Sequence, residues 1–337
     1  MSLNIKPFST TGIGSLPHRD AEEACELVLR TFDIPFWPQL PKVSFRESMT
    51  IQYAEGMPYL RIDEKNQTAS IMRDASDELE RFYESYTDTT RIAISEDYAA
   101  GLSAFLRAIK GRRFPLLKGH VTGPVTFTLG IKDQDGRLIF FDEELREIAS
   151  MLLKAKIRWQ ISVLKQHADG AIIFIDEPIL SALGSSSYLG VDTGEVLRLL
   201  RESCTAIHAA GGISGIHCCG RADWPLVFES GVNIINFDAF EYFDSIAMYR
   251  DEIGRFLRGG GFLAWGIVPT SEVINEVDDK IITGLMSEHL EKLSAVLPAE
   301  LVRSNVVLTP SCGTGSRSIE ETIKIFQLLI RLKEAVG

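Results

Sequence analysis

The stretch AIIFIDEP, residues 171–178, decides the fold class. It is a short apolar run without polar interruptions, and it ends at two carboxylates, Asp176 and Glu177, followed by Pro178. A continuous apolar run, as opposed to an alternating one, is typical of a parallel strand that is buried on both faces. A proline at the end of such a run takes the chain out of the strand. The stretch therefore predicts an α/β architecture built around this strand.

Seven further runs of this kind occur along the chain, and amphipathic segments with helix signals separate most of them. With Ala171–Asp176, the predicted strands are Thr10–Ile13, Phe36–Leu40, Leu116–His120, Ile213–Cys219, Val232–Asp238, Phe262–Ile267 and Val306–Thr309. Eight β units with intervening helices predict a (β/α)8 TIM barrel. No linker or low-complexity segment divides the chain, so residues 1–337 are predicted to form a single domain.

Two segments interrupt this alternation and predict β-hairpins inserted into loops of the barrel. They are PYLRIDEKNQTASIM, residues 58–72, and LGIKDQDGRLIF, residues 129–140. The second contains the dipeptide Asp135-Gly136, a common turn sequence in tight hairpins.

The bulk composition excludes several classes of partner. The chain has 337 residues, 45% of them hydrophobic, and a net charge of −11 without a basic stripe, so nucleic acid is not expected as a partner. No apolar run approaches the ~18 residues of a membrane span, and the first residues have no apolar signal region, so we expect a cytoplasmic protein without a membrane partner. Five cysteines do not form a disulfide framework, and Cys25 and Cys204 are predicted to be plain buried thiols.

The stretch SGIHCCG, residues 214–220, has a histidine beside two adjacent cysteines. Because side chains alternate along a strand, His217 and Cys219 would point to the same side, and Cys218 would point into the helix layer. One interpretation is a pair of metal ligands at the mouth of the barrel. The other is a buried histidine at a strand end, with two small thiols that pack as apolar groups. The motif alone leaves both open.

Other strand ends favour the metal interpretation. Cys312 lies just past the last predicted strand, Asp238 ends the strand after the His-Cys-Cys strand, and Glu241 follows three residues later. In a barrel, the carboxyl ends of all strands converge at one face. A histidine, two cysteines and a carboxylate form a set of ligands typical of zinc. Since these ligands are dispersed along the chain, they favour a catalytic zinc over a structural one.

A polar set is predicted at the same face. TGIGSLPH, residues 11–18, offers backbone groups at Ile13, Gly14 and Ser15, while FRESM, residues 45–49, offers Glu47. Asp176 completes the set at the end of its own strand. Carboxylates at two such positions beside a metal favour recognition of a small cationic group, such as the ammonium group of an amino acid.

In combination, these motifs resemble the catalytic, C-terminal half of cobalamin-independent methionine synthase, within the uroporphyrinogen decarboxylase/methionine synthase-like superfamily. TTGIGSLP, TGPVT, IDEP, HCC and a late Cys-Gly occur in the order of that family and span nearly the whole chain. The resemblance implies a zinc-bearing barrel that transfers a methyl group to a thiol, with homocysteine as the family substrate and methionine as the product.

The resemblance also implies roles for individual residues. His217, Cys219 and Cys312 would bind zinc. Ile13, Gly14, Ser15, Glu47 and Asp176 would hold the amino acid, with the two carboxylates on its ammonium group.

The fourth zinc ligand of the family is a glutamate, and two residues compete for this role here. The spacing from Cys219 indicates Glu241, whereas the position at a strand end indicates Asp238. We favour Asp238, because the helix between Cys219 and the next strand is shortened in this sequence.

Two departures from the family concern the methyl donor. The family has a second, N-terminal barrel that helps to hold methyltetrahydrofolate, and this chain is too short to include one. The family also has a histidine after the seventh strand that protonates the folate, whereas WGIVPTS, residues 265–271, has none. We therefore expect a methylcorrinoid protein as donor. The alternatives are a uroporphyrinogen decarboxylase-like enzyme with Asp176 as acid, and a non-catalytic module that binds zinc or a corrinoid protein.

Overall fold

The computed structural model describes residues 5–74, 77–88 and 92–337. The strands are β1 (Ser9–Thr10), β2 (Leu60–Asp63), β3 (Thr68–Ile71), β4 (Phe114–Thr122), β5 (Lys132–Asp133), β6 (Ala168–Asp176), β7 (Ile213–Cys218), β8 (Ile234–Asp238), β9 (Phe262–Val268) and β10 (Val306–Pro310). The α-helices are α1 (Ala21–Thr31), α2 (Met49–Gln52), α3 (Glu78–Ser85), α4 (Ala100–Ala108), α5 (Pro124–Gly130), α6 (Glu143–Leu164), α7 (Thr193–Ala209), α8 (Trp224–Glu229), α9 (Phe243–Ala247), α10 (Arg250–Arg258), α11 (Asp279–Ser294), α12 (Ala299–Ser304) and α13 (Ile319–Val336).

A curled parallel sheet organises the chain. Seven strands lie in the order β1-β10-β9-β8-β7-β6-β4, and each pairs in parallel with its neighbour. Seven of the eight predicted strands are therefore confirmed, with ends that move by a few residues. The strand predicted at Thr10–Ile13 is reduced to Ser9–Thr10, and β7 ends at Cys218, one residue before the predicted end.

The strand predicted at Phe36–Leu40 does not form a continuous ladder. Two single bridges join this segment to both edges of the sheet, Phe36 with Lys118 of β4 and Gln39 with Ser15 beyond β1. Pro35 and Pro38 have no backbone N–H, so they cannot donate to a ladder on either side. The structure therefore has a TIM-like, seven-stranded half-barrel sheet whose gap is spanned by this proline-rich segment, and a complete (β/α)8 ladder is not confirmed.

The interior of the curled sheet and the layer between sheet and helices have separate apolar cores. Inward-facing residues at the amino end of the strands form the smaller cluster, which includes Ile172, Phe174, Ile234, Phe262 and Val307. The larger cluster lies between the sheet and the surrounding helices. Burial of both sets against water fixes the strand register, because a shift by one residue would turn every inward side chain outward.

Side-chain caps mark where the long helices begin. The carboxylates of Asp142 and Asp192 accept hydrogen bonds from the third backbone N–H of α6 and α7, and Ser318 and Glu321 form a reciprocal capping box on α13. Such caps satisfy N–H groups that have no partner inside the helix. No helix in the described part of the chain combines the length and the apolar character needed to cross a membrane.

A small second sheet lies beside the barrel. β2 and β3 form the antiparallel hairpin predicted within residues 58–72. The second predicted hairpin is only partly formed: β5 has two residues, pairs in parallel with β3, and is bridged back by Lys132 to Leu138 around a turn with Gly136 at φ +77°. Both insertions thus join in one three-stranded sheet.

Candidate active site

The carboxyl ends of neighbouring strands bring polar side chains into one row. Asp176 of β6 is in register with His217 of β7, and His217 is in register with Asn236 of β8. Residues in register on parallel strands project to the same face of the sheet, so all three point into the barrel. Cys219 follows β7 directly, and Cys312 lies two residues beyond β10.

Three of the predicted ligands meet at this end of the barrel. A ring nitrogen of His217 and the Sγ atoms of Cys219 and Cys312 all lie within 4.8 Å of one another. Cys218 is fully buried in the core between sheet and helices, as the alternation along the strand predicts. Cys25 and Cys204 also lie in that core, as predicted. One nitrogen and two sulfurs at this spacing are a donor set that suits zinc.

Asn236 fixes the orientation of the His217 ring. Its Nδ2 donates to the carbonyl of Ala264 at 2.9 Å and to Oγ1 of Thr309 at 2.8 Å, so its Oδ1 must face the histidine. That oxygen accepts a hydrogen bond from Nδ1 of His217. With Nδ1 protonated and engaged, Nε2 is the nitrogen left to bind a metal.

The electrostatics of the trio already favour a cation. The pKa of Cys219 is lowered to about 4, first because the Cys312 thiol hydrogen-bonds to it and then because of His217. The same hydrogen bond raises the pKa of Cys312 well above that of an ordinary thiol. Burial lowers the pKa of His217, but its contacts with Cys219 and Asp176 outweigh this effect and raise the pKa overall. These shifts favour a thiolate at Cys219 that is stabilised by the protons of Cys312 and His217, and a bound metal ion could take the place of those protons.

Neither candidate for the fourth ligand belongs to this close group in the described residues. Asp238 is buried, and its Oδ1 accepts hydrogen bonds from the backbone N–H groups of Phe240 and Glu241, both at 2.9 Å. Burial raises the pKa of Asp238 to about 7. Glu241 itself is exposed on the following turn. Of the two, Asp238 is the one whose carboxylate is held at the mouth, and the turn that it caps fixes its position.

Asp176 is a buried carboxylate with an unused acceptor. Only 7% of the residue is exposed, and its Oδ1 has no hydrogen-bond partner. Burial raises the pKa of Asp176 to about 6, although His217 and Lys118 counteract this. A buried polar atom without a partner is costly, so this position is suited to a ligand that carries a donor.

The sequence predicts that Glu47 binds a ligand, whereas in the structure its carboxylate binds backbone N–H groups of the protein itself. It is fully buried, and its two oxygens accept from the backbone N–H groups of Leu40 at 3.1 Å and Ala100 at 3.2 Å. Burial raises the pKa of Glu47 to about 7. Glu47 thus fastens the proline-rich segment to the start of α4, and its role toward an amino acid stays a prediction.

The loop of Ile13, Gly14 and Ser15 passes over the side chain of His120. A Cβ atom on Gly14 would lie 2.9 Å from two atoms of the His120 ring, so only glycine allows this approach. The ring of His120 stacks on Trp37 with centroids 3.9 Å apart. Both ring nitrogens of His120 are buried without partners, and burial together with Lys118 holds its pKa well below the usual value.

The two acids of the IDEP motif have different roles. The side chain of Glu177 accepts from the backbone N–H groups of Val125 at 2.9 Å and Thr126 at 2.7 Å, and from Oγ1 of Thr126 at 2.6 Å. It therefore caps α5, while Asp176 faces the barrel interior. A Cβ atom on Gly123 would lie 2.1 Å from the Glu177 carboxyl, which explains the glycine in TGPVT.

Sequence reasoning missed two buried polar residues of the site, Lys118 and Asn236. Each interrupts an apolar strand, in LLKGHV and in IINFD. A polar residue inside such a run is the signal that could have identified them, because burial of a polar group requires a specific partner.

The likeness of this chain to known proteins lies in its fold. No protein-family model and no curated protein matches the sequence. Among solved structures, a B12-independent methionine synthase from Shewanella sp. W3-18-1, in complex with selenomethionine, aligns with a TM-score of 0.60 at 14% identity over 98% of both chains. A methyltransferase from Methanosarcina mazei aligns with a TM-score of 0.52 at 16% identity over 99% of this chain and 95% of that chain.

These alignments extend over nearly the whole chain and are not limited to a shared fragment. The predicted resemblance to methionine synthase is therefore confirmed for the fold: this chain has the fold of a B12-independent methionine synthase.

Proposed function

We propose that this protein is a zinc-dependent methyltransferase that transfers a methyl group to the thiol of homocysteine and so forms methionine. The observation that carries the proposal is the meeting of His217, Cys219 and Cys312 within 4.8 Å, beside the unpaired carboxylate oxygen of Asp176. Two solved structures with this fold point the same way, since one is a methionine synthase in complex with selenomethionine and the other is a methyltransferase.

In this proposal, His217 binds zinc through Nε2, Cys219 and Cys312 bind through their thiolates, and Asp238 approaches as the fourth ligand. The metal would hold the substrate sulfur as a thiolate, which is a far better nucleophile at neutral pH than a thiol with a pKa of ~8.5. Asn236 keeps the His217 ring in the tautomer and orientation that binding requires.

The amino-acid end of the substrate has its own partners. Asp176 is the proposed acceptor for the ammonium group, because its free oxygen is buried inside the barrel. Ile13, Gly14 and Ser15 offer backbone groups to the carboxylate. Glu47 is the proposed second carboxylate near the ammonium group, acting through lone pairs that its two backbone hydrogen bonds leave free.

We further propose a methylcorrinoid, carried by another protein, as the methyl donor. Methyltetrahydrofolate needs a proton on its nitrogen as the methyl group leaves, and such general acid help is typically worth ~10²–10⁴-fold in rate. Residues 265–271, which form the end of β9 and the loop that follows it, contain no histidine. The low pKa of His120 makes it a poor substitute acid. A cob(I)alamin leaving group needs no proton.

Two assays test the proposal. The isolated protein should contain about one zinc per chain, and it should form methionine from homocysteine with methylcobalamin but little or none with methyltetrahydrofolate. Cys312→Ala should lose both zinc and turnover, while Cys218→Ala, which changes a buried neighbour, should keep both. Zinc-free protein that still transfers methyl would refute the metal role, and robust folate-dependent turnover would refute the donor.

A further inference from the structure

Lys118 is a buried cation inside the barrel. It lies in the middle of β4 and is 0% exposed. Its Nζ donates to the carbonyl of Ile13 at 2.5 Å, and it faces the ring of Phe174 at 4.3 Å and that of Phe36 at 5.5 Å. Burial of an ammonium group costs free energy unless the group is paired, and the Ile13 carbonyl is a hydrogen-bond partner of this one.

The hydrogen bond of Lys118 helps to fix the loop that follows β1. All three carbonyls of this loop are engaged: that of Ile13 by Lys118, that of Gly14 by Gln39 N–H at 3.0 Å and that of Ser15 by Thr314 N–H at 2.9 Å. The N–H groups of Ile13, Gly14 and Ser15 donate no hydrogen bond within the described residues. A loop with its acceptors engaged and three donors free, among them those of Gly14 and Ser15, is prepared for an anion.

We propose that Lys118 is the positioning residue that gives the site its specificity for a carboxylate-bearing thiol. By holding the Ile13 carbonyl, it keeps the Gly14 and Ser15 N–H groups available to the substrate carboxylate. This inference rests on the proposed function, since it assumes an amino-acid thiol as substrate.

The charges of the interior match the two ends of a zwitterion. Lys118 lies behind the loop with the free N–H groups, and Asp176 projects from the neighbouring strand β6. Burial lowers the pKa of Lys118 to about 7, and Asp176 counteracts this. A carboxylate bound at the loop stabilises the charged form of Lys118, and in a low-dielectric interior this attraction is stronger than in water.

The test compares two thiols that differ only in the carboxylate, homocysteine and 3-aminopropane-1-thiol. Their dissociation constants are measured by calorimetry on the zinc-loaded wild type, Lys118→Met and Lys118→Gln. Met removes the charge and the donor at similar length, and Gln keeps an N–H donor. Lys156→Met is the matched control, since Lys156 is equally buried but its Nζ points to the carbonyl of Ile92 at 3.4 Å.

The wild type should prefer homocysteine by at least ~10-fold, as expected for one charge-assisted hydrogen bond. Lys118→Met should lose most of this preference because its affinity for homocysteine falls while that for 3-aminopropane-1-thiol stays within about 2-fold. Lys118→Gln should lie between, and Lys156→Met should match the wild type.

Equal losses for both thiols in Lys118→Met would reduce Lys118 to a structural role and overturn the inference. If neither Lys118 variant folds, the wild type still decides, since equal affinity for the two thiols would overturn it. A wild type that binds zinc but neither thiol would instead refute the proposed function, so the two failures are distinguishable.

Discussion

Replacement of Asn236 by alanine should weaken zinc binding although Asn236 is not a ligand. The fully buried amide connects His217 to the carbonyl of Ala264 and to Thr309. Without it, Nδ1 of His217 loses its acceptor, and the ring can rotate or take the other tautomer. Loss of such an outer-shell partner typically costs 10–100-fold in metal affinity, which corresponds to about 1.4–2.7 kcal/mol.

The same change should also destabilise the metal-free protein. The Ala264 carbonyl and the Thr309 hydroxyl lose the donor that Asn236 supplies, and a buried group left unpaired costs about 1–3 kcal/mol. Asn233→Ala is the matched control, because Asn233 of the preceding loop accepts from Ser214 N–H at 3.0 Å and contacts His208 at 2.8 Å, before β8 begins. Asn233→Ala should lose stability but not zinc affinity.

Competition with a chromophoric chelator would measure the zinc dissociation constant, and chemical denaturation of the metal-free proteins would measure the unfolding free energy. Asn236→Asp provides an intermediate, since its carboxylate can still accept from His217 but cannot donate to Ala264. A zinc affinity of Asn236→Ala within 2-fold of the wild type, or an equal loss in Asn233→Ala, would show that Asn236 does not orient His217 for zinc.

Three further predictions concern single residues. Cys219→Ala should lose most of the bound zinc and Cys218→Ala should retain it, since only Cys219 faces the barrel mouth. Metal analysis after dialysis measures the zinc content of both variants, and identical contents would mean that the strand register is wrong. Burial raises the pKa of Glu47 to about 7, so between pH of about 4.5 and about 7 the folded wild type holds a proton that the unfolded chain has lost. As pH rises through this range, the unfolding free energy of the wild type should therefore fall relative to that of Glu47→Gln, by at most about 1.4 kcal/mol per pH unit. A difference that stays constant with pH would contradict this. Gly123→Ala should destabilise the protein by more than ~1 kcal/mol, because the added Cβ displaces the Glu177 carboxyl from α5. Gly284→Ala on α11, where an added Cβ has no atom within 4 Å, should stabilise the protein by up to ~1 kcal/mol. Thermal melting compares the two variants, and a Gly123→Ala variant as stable as the wild type would contradict the role of Glu177 as a cap of α5.

Strands with continuous apolar runs were predictable from the sequence, because a parallel strand buried on both faces has few other interpretations. The segment Phe36–Leu40 has the same apolar character, but Pro35 and Pro38 remove the N–H groups that a ladder needs. The prolines were visible in the sequence, and their effect on pairing was underestimated.

The grouping of three candidate metal ligands was also predictable from the sequence. Alternation along β7 separates Cys219 from Cys218, and the structure brings Cys219 to His217 and Cys312. The environment of Glu47 was not predictable, because its two partners come from backbone that lies 7 and 53 residues away along the chain. The contact with Ala100 depends on the assembled fold, and neither contact leaves a pattern in the sequence.

In the proposed reaction, the sulfur of the substrate joins a zinc ion held by one histidine and two cysteines. X-ray absorption spectroscopy at the zinc edge measures this directly, because it counts the sulfur atoms around the metal. Zinc in the isolated protein should have two sulfur neighbours, and addition of homocysteine should raise the number to three at a Zn–S distance of about 2.3 Å. A sulfur count that stays at two with saturating homocysteine would contradict binding of the substrate sulfur to the metal.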